Sequence, residues 1–126
     1  MKRKRGILIS FEGGEGSGKT LQAKWLAEFL RRQGKLVVLT REPGGSRICE
    51  QIRKIVLDSR NKEMSYECEA LLFQAARAQI CQELILPALQ AGKIVIIDRF
   101  RDSSTVYQGI VRGLGIEYIE LLNDIS

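Results

Sequence analysis

The sequence predicts an α/β fold, a parallel sheet with helices on both faces, and three observations carry that expectation. Three short runs, Ile7–Phe11, Leu36–Leu39 and Ile94–Ile97, are apolar except for Ser10 rather than alternating, as strands buried on both faces are. Between them lie segments whose apolar residues recur at helical spacing. The first two runs each end in a glycine-rich turn, FEGGEGSGKT (Phe11–Thr20) and REPGG (Arg41–Gly45), where a parallel strand hands over to the next helix. The implied order is β-α-β-α-α-β-α-α, with three strands.

Each element has a local reason. Lys19 to Gln33 carries Leu21, Trp25, Leu26, Phe29 and Leu30 close to helical spacing, and Gly34 is placed to end that helix. Ile48, Ile52, Ile55 and Val56 mark a second helix, and the polar stretch from Asp58 to Ser65 reads as a connection. A long helical pattern runs from Tyr66 to about Ala91, with Pro87 expected to bend or end it. From Asp102 the pattern is again helical, broken near Gly113 and Gly115, and is expected to resume from Ile116.

Composition narrows the function classes. At 126 residues the chain fits one modest core, so residues 1–126 are expected to form a single domain. With 44% hydrophobic and 28% charged residues the balance is that of a globular protein. No apolar run approaches the ~20 residues of a bilayer span, and the basic MKRKRG start lacks the pattern of a secretory signal. There is no histidine, which removes Ser-His and Cys-His chemistry and most transition-metal sites. Cys49, Cys68 and Cys81 are widely spaced and form no CxxC pair, so reduced thiols and a cytoplasmic setting are expected. The net charge of +5 favours anionic partners, although Lys2–Arg5 contribute four of the 20 basic residues as a solvated tail.

Gly13-x-x-x-x-Gly18-Lys19-Thr20 matches GxxxxGK[ST] and sits after a strand and before a helix, where the motif has a mechanism. Gly13, Gly14, Glu15, Gly16, Ser17 and Gly18 form a loop whose backbone N–H groups wrap phosphate oxygens, helped by the positive end of the helix. Lys19 is placed to bridge the β- and γ-phosphates, and the Thr20 hydroxyl to hold Mg²⁺. Asp98 follows four apolar residues at the C-terminal edge of a strand, where open α/β sheets bind ligands, and is the expected second metal-organising group. The expectation is a P-loop NTPase-type fold that handles ATP or GTP with Mg²⁺. Arg99 is expected to point into the same crevice as Asp98. Phe73 and Arg77, four apart, place an aromatic plate and a guanidinium on one helical face, and Ser104 and Gln108 offer polar groups on another.

Taken together, FEGGEGSGKT, TREPGGS (Thr40–Ser46), LLFQAAR (Leu71–Arg77) and DRFRDSSTVYQG (Asp98–Gly109) resemble the bacterial thymidylate kinases in order and spacing across essentially the whole chain. The phosphate loop is shared by many families; the other three segments in combination are specific. The resemblance implies transfer of the ATP γ-phosphoryl group to dTMP, giving dTDP and ADP, with Lys19, Asp98 and Arg99 as catalytic residues. It implies that Phe73 stacks on thymine, that Arg77 hydrogen-bonds the base, and that Arg99 and Arg53 hold the acceptor phosphate. It places the Arg41–Glu42 turn beside the acceptor nucleotide, with Glu42 in the dTMP site, and gives Ser104 and Gln108 contacts to the pyrimidine edge. Tyr107 matches the aromatic residue that crowds the ribose 2′ position, and Glu15 the carboxylate that faces the sugar 3′-hydroxyl. A homodimer through helices that include the one bearing Phe73 is also implied.

The chain departs from the resembled pattern in two ways. Cys49 stands where a glycine usually begins the helix after REPGG, a local packing matter. The resembled enzymes also continue beyond the position of Ser126 with a lid, two more strands and a final helix, the lid supplying a catalytic arginine that this phosphate loop lacks. On that comparison the chain is expected to be the N-terminal portion of such a domain, with weak or absent transfer by itself. Two rivals share the loop: a P-loop kinase for another small molecule, and a non-catalytic nucleotide-binding module using Lys2–Arg5 on nucleic acid. With the motifs outside the loop taken into account, neither nucleic acid nor membrane is an expected partner.

Overall fold

The computed structural model describes residues 6–12, 18–99 and 111–122. Its elements run β1 (Ile7–Glu12), α1 (Lys19–Arg32), β2 (Val37–Glu42), α2 (Arg47–Leu57), α3 (Tyr66–Ile80), a π-helical turn (Cys81–Ile85), α4 (Leu86–Gln90), β3 (Ile94–Arg99) and β4 (Glu117–Leu122). The strands form one parallel sheet in the order β2-β3-β1-β4, with Ile7 level with Ile94 and Glu117, and Val37 level with Ile94. The expected parallel α/β architecture is present, and β1 and β3 occupy its interior.

The fourth strand corrects the expectation of three strands and of a helix resuming at Ile116. Ile116 and Ile119 are three apart, which mimics helical spacing, but the preceding helical turn at 111–114 is closed at Gly115 (Gly115 N–H to the Arg112 carbonyl, 3.2 Å; Ile116 N–H to the Val111 carbonyl, 2.9 Å). The chain beyond it then pairs residue by residue with β1, from Ile7↔Glu117 to Glu12↔Leu122. Pairing across more than a hundred residues of sequence leaves no local signature and outweighs the weak spacing cue. Gly34 closes α1 in the same way, at φ 83 with its N–H on the Arg31 carbonyl and the Lys35 N–H on the Leu30 carbonyl. That left-handed turn releases the chain into β2.

Pro87 neither ends nor interrupts the helical run from Tyr66 to Gln90. The Leu86 N–H reaches back five residues to the Cys81 carbonyl. The widened turn lies where the proline ring would otherwise crowd the carbonyl of Glu83, so the helix passes through it.

Strand parity sorts the core into two layers. Leu8, Val95, Ile97, Val38 and Tyr118 face α2, α3 and α4, packing with Cys49, Ala76, Ile80, Ile85 and Leu89. Ile7, Ile9, Phe11, Ile94, Ile96, Val37 and Leu39 face α1, which meets them with Ala23, Ala27, Leu26 and Leu30. Burying each large aliphatic side chain is worth about 1.5–3 kcal/mol, so the sheet and its two covers hold together mainly by apolar burial. The fully buried residues of the α1 interface are its small ones, Ala23 and Ala27, flanked by Leu26 and Leu30; Leu21, Trp25 and Phe29 of the same helix are more than half exposed.

Candidate active site

The three long helices begin differently. Ser46 caps α2 by accepting the Cys49 N–H (3.4 Å), and Ser65 caps α3 by accepting the Cys68 N–H (3.1 Å), with Glu67 and Glu69 in that first turn. At α1 the capping position is Gly18, at φ 81, with no side-chain cap and no acidic residue in the first turn. The positive end of α1 is therefore left to other anions.

Lys19 and Thr20 open α1 against the end of β3. The Lys19 ammonium pairs with Asp98 Oδ1, and the Thr20 hydroxyl donates to Asp98 Oδ2 at 2.6 Å. The expected partnership of Lys19, Thr20 and Asp98 is thus a physical cluster, drawn from residues 78 and 79 positions apart. Arg41 is level with Asp98 on the neighbouring strand, so it shares this α1-facing side of the sheet. Glu50 grips Arg41 through two hydrogen bonds (2.5 and 3.2 Å) and also accepts the Gly45 N–H (2.8 Å). The Arg41 guanidinium holds the Glu50 carboxyl below the ordinary carboxylate range, and Glu50 raises Arg41 in return.

Arg99 corrects the expectation of a shared crevice with Asp98. Successive side chains of a strand point to opposite faces, so Asp98 turns toward α1 and Arg99 toward α2 and α3. There Arg99 is wholly buried, ion-paired with Glu12 of β1 and donating to the Tyr118 hydroxyl of β4 at 3.0 Å. Glu12 and Glu42 lie level with Arg99 on its two flanking strands. Glu42 in turn receives Arg77 of α3, whose Nε and Nη2 both donate to Oε1 at 2.9 and 2.5 Å. Glu12, Arg99, Glu42 and Arg77 therefore make a buried row of alternating charge along the C-terminal edge of the sheet, each residue at most 5% exposed. Buried charges are tolerated when paired in this manner.

Phe73 lies one helical turn from Arg77, is buried, and belongs to neither apolar cluster of the described residues. Arg53 of α2 donates to the Pro43 carbonyl at 2.9 Å, which brings it to the turn after β2. Gly45 in that turn, at φ 98, lies against Thr40 Oγ1 and Ile80 so closely that a side chain there would collide with both. The structure thus brings Glu42, Phe73, Arg77, Arg99 and the Arg53-bound turn to one face, and Lys19, Thr20 and Asp98 to the other. The expected site residues Gly13, Gly14, Glu15, Gly16, Ser17, Ser104, Tyr107 and Gln108 lie outside the described residues. Sequence reasoning passed over Glu12, Glu50 and Tyr118, which contact expected site residues. The signal for Glu12 was available: it shares strand parity with Leu8 and ends a buried strand.

A parallel 2-3-1-4 sheet, with a lysine and threonine opening the first helix against a carboxylate that ends the neighbouring strand, defines a P-loop nucleotide-binding protein. Comparison with known proteins narrows this class. Residues 11–125 match the thymidylate kinase family model, and the chain belongs to that family. It is 51% identical over 97% of its length to a thymidylate kinase of Thermoanaerobacter sp. (strain X514), and 52% identical over 97% to one from Geobacillus sp. (strain WCH70). It spans 60% and 58% of the lengths of those two relatives. A crystal structure of thymidylate kinase from Ehrlichia chaffeensis superimposes with a TM-score of 0.71 at 41% identity, covering 87% of this chain and 62% of that one.

Proposed function

We propose that this protein takes part in transfer of the γ-phosphoryl group of ATP to dTMP, forming dTDP and ADP, and that residues 1–126 belong to one nucleotide-binding domain. The observation that carries this proposal is the division of charged groups by the sheet edge: Lys19, Thr20 and Asp98 on one face, Arg99, Arg77 and Phe73 on the other. One group suits a donor triphosphate and the other an acceptor nucleotide.

In the proposed reaction a phosphate oxygen of dTMP attacks the γ-phosphorus in line, and the bond from that phosphorus to the bridging oxygen breaks, releasing ADP. Chemistry of this kind depends on positioning and charge neutralisation. The loop Gly13–Gly18 and the uncapped start of α1 grip the donor phosphates, and Lys19 leaves Asp98 to bridge the β- and γ-groups. Arg99 and Arg53 offer planar donors to the tetrahedral acceptor phosphate. Arg77 reads the base against the face of Phe73, with Glu42 fixing the guanidinium; Ser104, Gln108, Tyr107 and Glu15 complete the nucleoside contacts.

Thr20 and Asp98 present hard oxygen donors 2.6 Å apart, a set that suits Mg²⁺. Mg²⁺ so held would take its remaining ligands from substrate phosphates and water. When bound, Mg²⁺ neutralises phosphate charge. All three cysteines are free, which supports a reducing, cytoplasmic setting. Exposed Ile48 and Ile55 on α2 and Tyr66 and Leu71 on α3 support a homodimer through these helices; Leu71→Glu should then shift the sedimentation coefficient to that of a monomer.

The test is a coupled ADP-release assay with dTMP, dUMP, dCMP and AMP as acceptors, alongside a thermal-shift panel of the same nucleotides. Strong preference for dTMP is expected in the thermal shifts, and the weak ADP release expected of this chain should follow the same order. Equal or better response to AMP would point to a different kinase, and steeply salt-dependent DNA binding without a nucleotide response would point to a nucleic-acid module.

A further inference from the structure

Glu12 has no part in the proposed transfer, yet it is a carboxylate buried at the site's edge. It ends β1, immediately before the phosphate loop, and its side chain turns away from Lys19 and Asp98 to the opposite face. There it pairs with Arg99, directly across the β1–β3 ladder. Its backbone is fixed by pairing to strands on both sides, level with Arg99 on β3 and Leu122 on β4.

We propose that Glu12 is a positioning residue for acceptor-phosphate recognition: its carboxylate sets the orientation of the Arg99 guanidinium before substrate arrives. This rests on the acceptor-phosphate role assigned to Arg99 above. Arginine has many rotamers, and a guanidinium that must be immobilised by its ligand binds that ligand less tightly. Glu12 removes that cost in advance. Tyr118 assists from β4 by accepting from Arg99 Nη2 at 3.0 Å, so the guanidinium is held by groups from two further strands.

A purely structural ion pair would affect every ligand alike, whereas a positioning role acts only through the acceptor phosphate. Thymidine and dTMP separate the two, because they share a base and sugar and differ in that phosphate. Calorimetric titration of the chain with both ligands is the experiment, using Glu12→Gln, Glu12→Asp, Tyr118→Phe and Arg99→Lys. Glu12→Gln should weaken dTMP about tenfold or more and leave thymidine within about twofold, since removing a residue that orients a ligand-binding group costs that order of affinity. Glu12→Asp should recover part of the loss, and Tyr118→Phe should give a smaller loss confined to dTMP. The Tyr118 variant reads out the same effect if Glu12→Gln does not fold. Equal weakening of both ligands, no weakening, or tighter dTMP binding by Glu12→Gln would overturn the proposal. Arg99→Lys keeps the two ideas apart: if it binds dTMP as the parent does, the acceptor role of Arg99 itself falls.

Discussion

Replacing Glu42 by glutamine is the sharpest probe of the buried charge row. The change keeps the shape and removes one negative charge where Arg77 Nε and Nη2 converge on Oε1, with both residues under 5% exposed. Two charge-assisted hydrogen bonds are weakened, each worth about 1.5–3 kcal/mol, and the amide oxygen restores part of that. The row is left with two guanidinium groups and one carboxylate, and loss of one member of a buried pair costs about 3–5 kcal/mol. A destabilisation of about 3 kcal/mol is therefore expected. An unfolding entropy of about 2.1 cal/mol/K per residue gives about 265 cal/mol/K for 126 residues, so the melting midpoint should fall by roughly 11 °C. Far-UV circular dichroism is the appropriate monitor, because Trp25 is 63% exposed and its fluorescence reports the fold poorly. Arg77→Met with Glu42→Gln should recover part of the loss, since the double variant no longer strands a buried charge beside α3. A midpoint shift under about 3 °C for the single variant would refute the view that the row is a coupled, buried network.

Three further outcomes follow from local geometry. Gly45→Ala imposes a side chain at φ 98 and drives it into Thr40 Oγ1 and Ile80, so a loss of roughly 2–3 kcal/mol is expected in urea unfolding; a loss below 0.5 kcal/mol would show that the turn yields. Glu50 has a folded carboxyl below its ordinary range because of Arg41, so its contribution is present above about pH 4.5 and fades as pH falls through the lower folded value. Both partners are substantially exposed, which limits the effect to about 0.5–1 kcal/mol, and Glu50→Gln should unfold at the same denaturant concentration as the parent only at the acid end of a pH series. Cys49 is buried and its thiol is pushed up by that burial, Cys81 is buried, and Cys68 is exposed. Ellman's reagent should therefore titrate one fast thiol in the native chain, and Cys68→Ala should abolish it.

The sequence made the sheet interior legible because β1 and β3 are buried on both faces and so carry almost wholly apolar runs, broken only by Ser10. It made the meeting of Lys19, Thr20 and Asp98 legible because GxxxxGK[ST] fixes the first two at the start of a helix and Asp98 ends a buried strand. β4 was not legible: EYIELL has two acids and an Ile116–Ile119 spacing of helical type, and only pairing with β1 makes it a strand. The passage of the helical run from Tyr66 to Gln90 through Pro87 was hidden for a related reason. A proline forbids one hydrogen bond, but a helix can reach one residue further, to the Cys81 carbonyl, when tertiary packing rewards continuity. Helical spacing identified α1 and, with Leu26 and Leu30, part of its inner face, but not Ala23 and Ala27, while Leu21, Trp25 and Phe29 of the same pattern face outward. Arg99 was placed on the wrong side because it was read as Asp98's neighbour in sequence; period-two alternation, applied to KIVIIDR, separates them.

That alternation has a consequence for how the protein tolerates change. Asp98 and Arg99 are consecutive, yet one peptide unit carries the chain from the face that holds Lys19 and Thr20 to the face that holds Glu12 and Arg77. The sheet therefore works as a partition whose two compartments are addressed by phase alone. Inserting or deleting one residue in Ile94–Ile97 would send the guanidinium to the side of Lys19 and the carboxylate to the side of Glu12, and like charges would then meet in both. A change of side chain in that segment costs packing alone, whereas a change of its length exchanges the two faces.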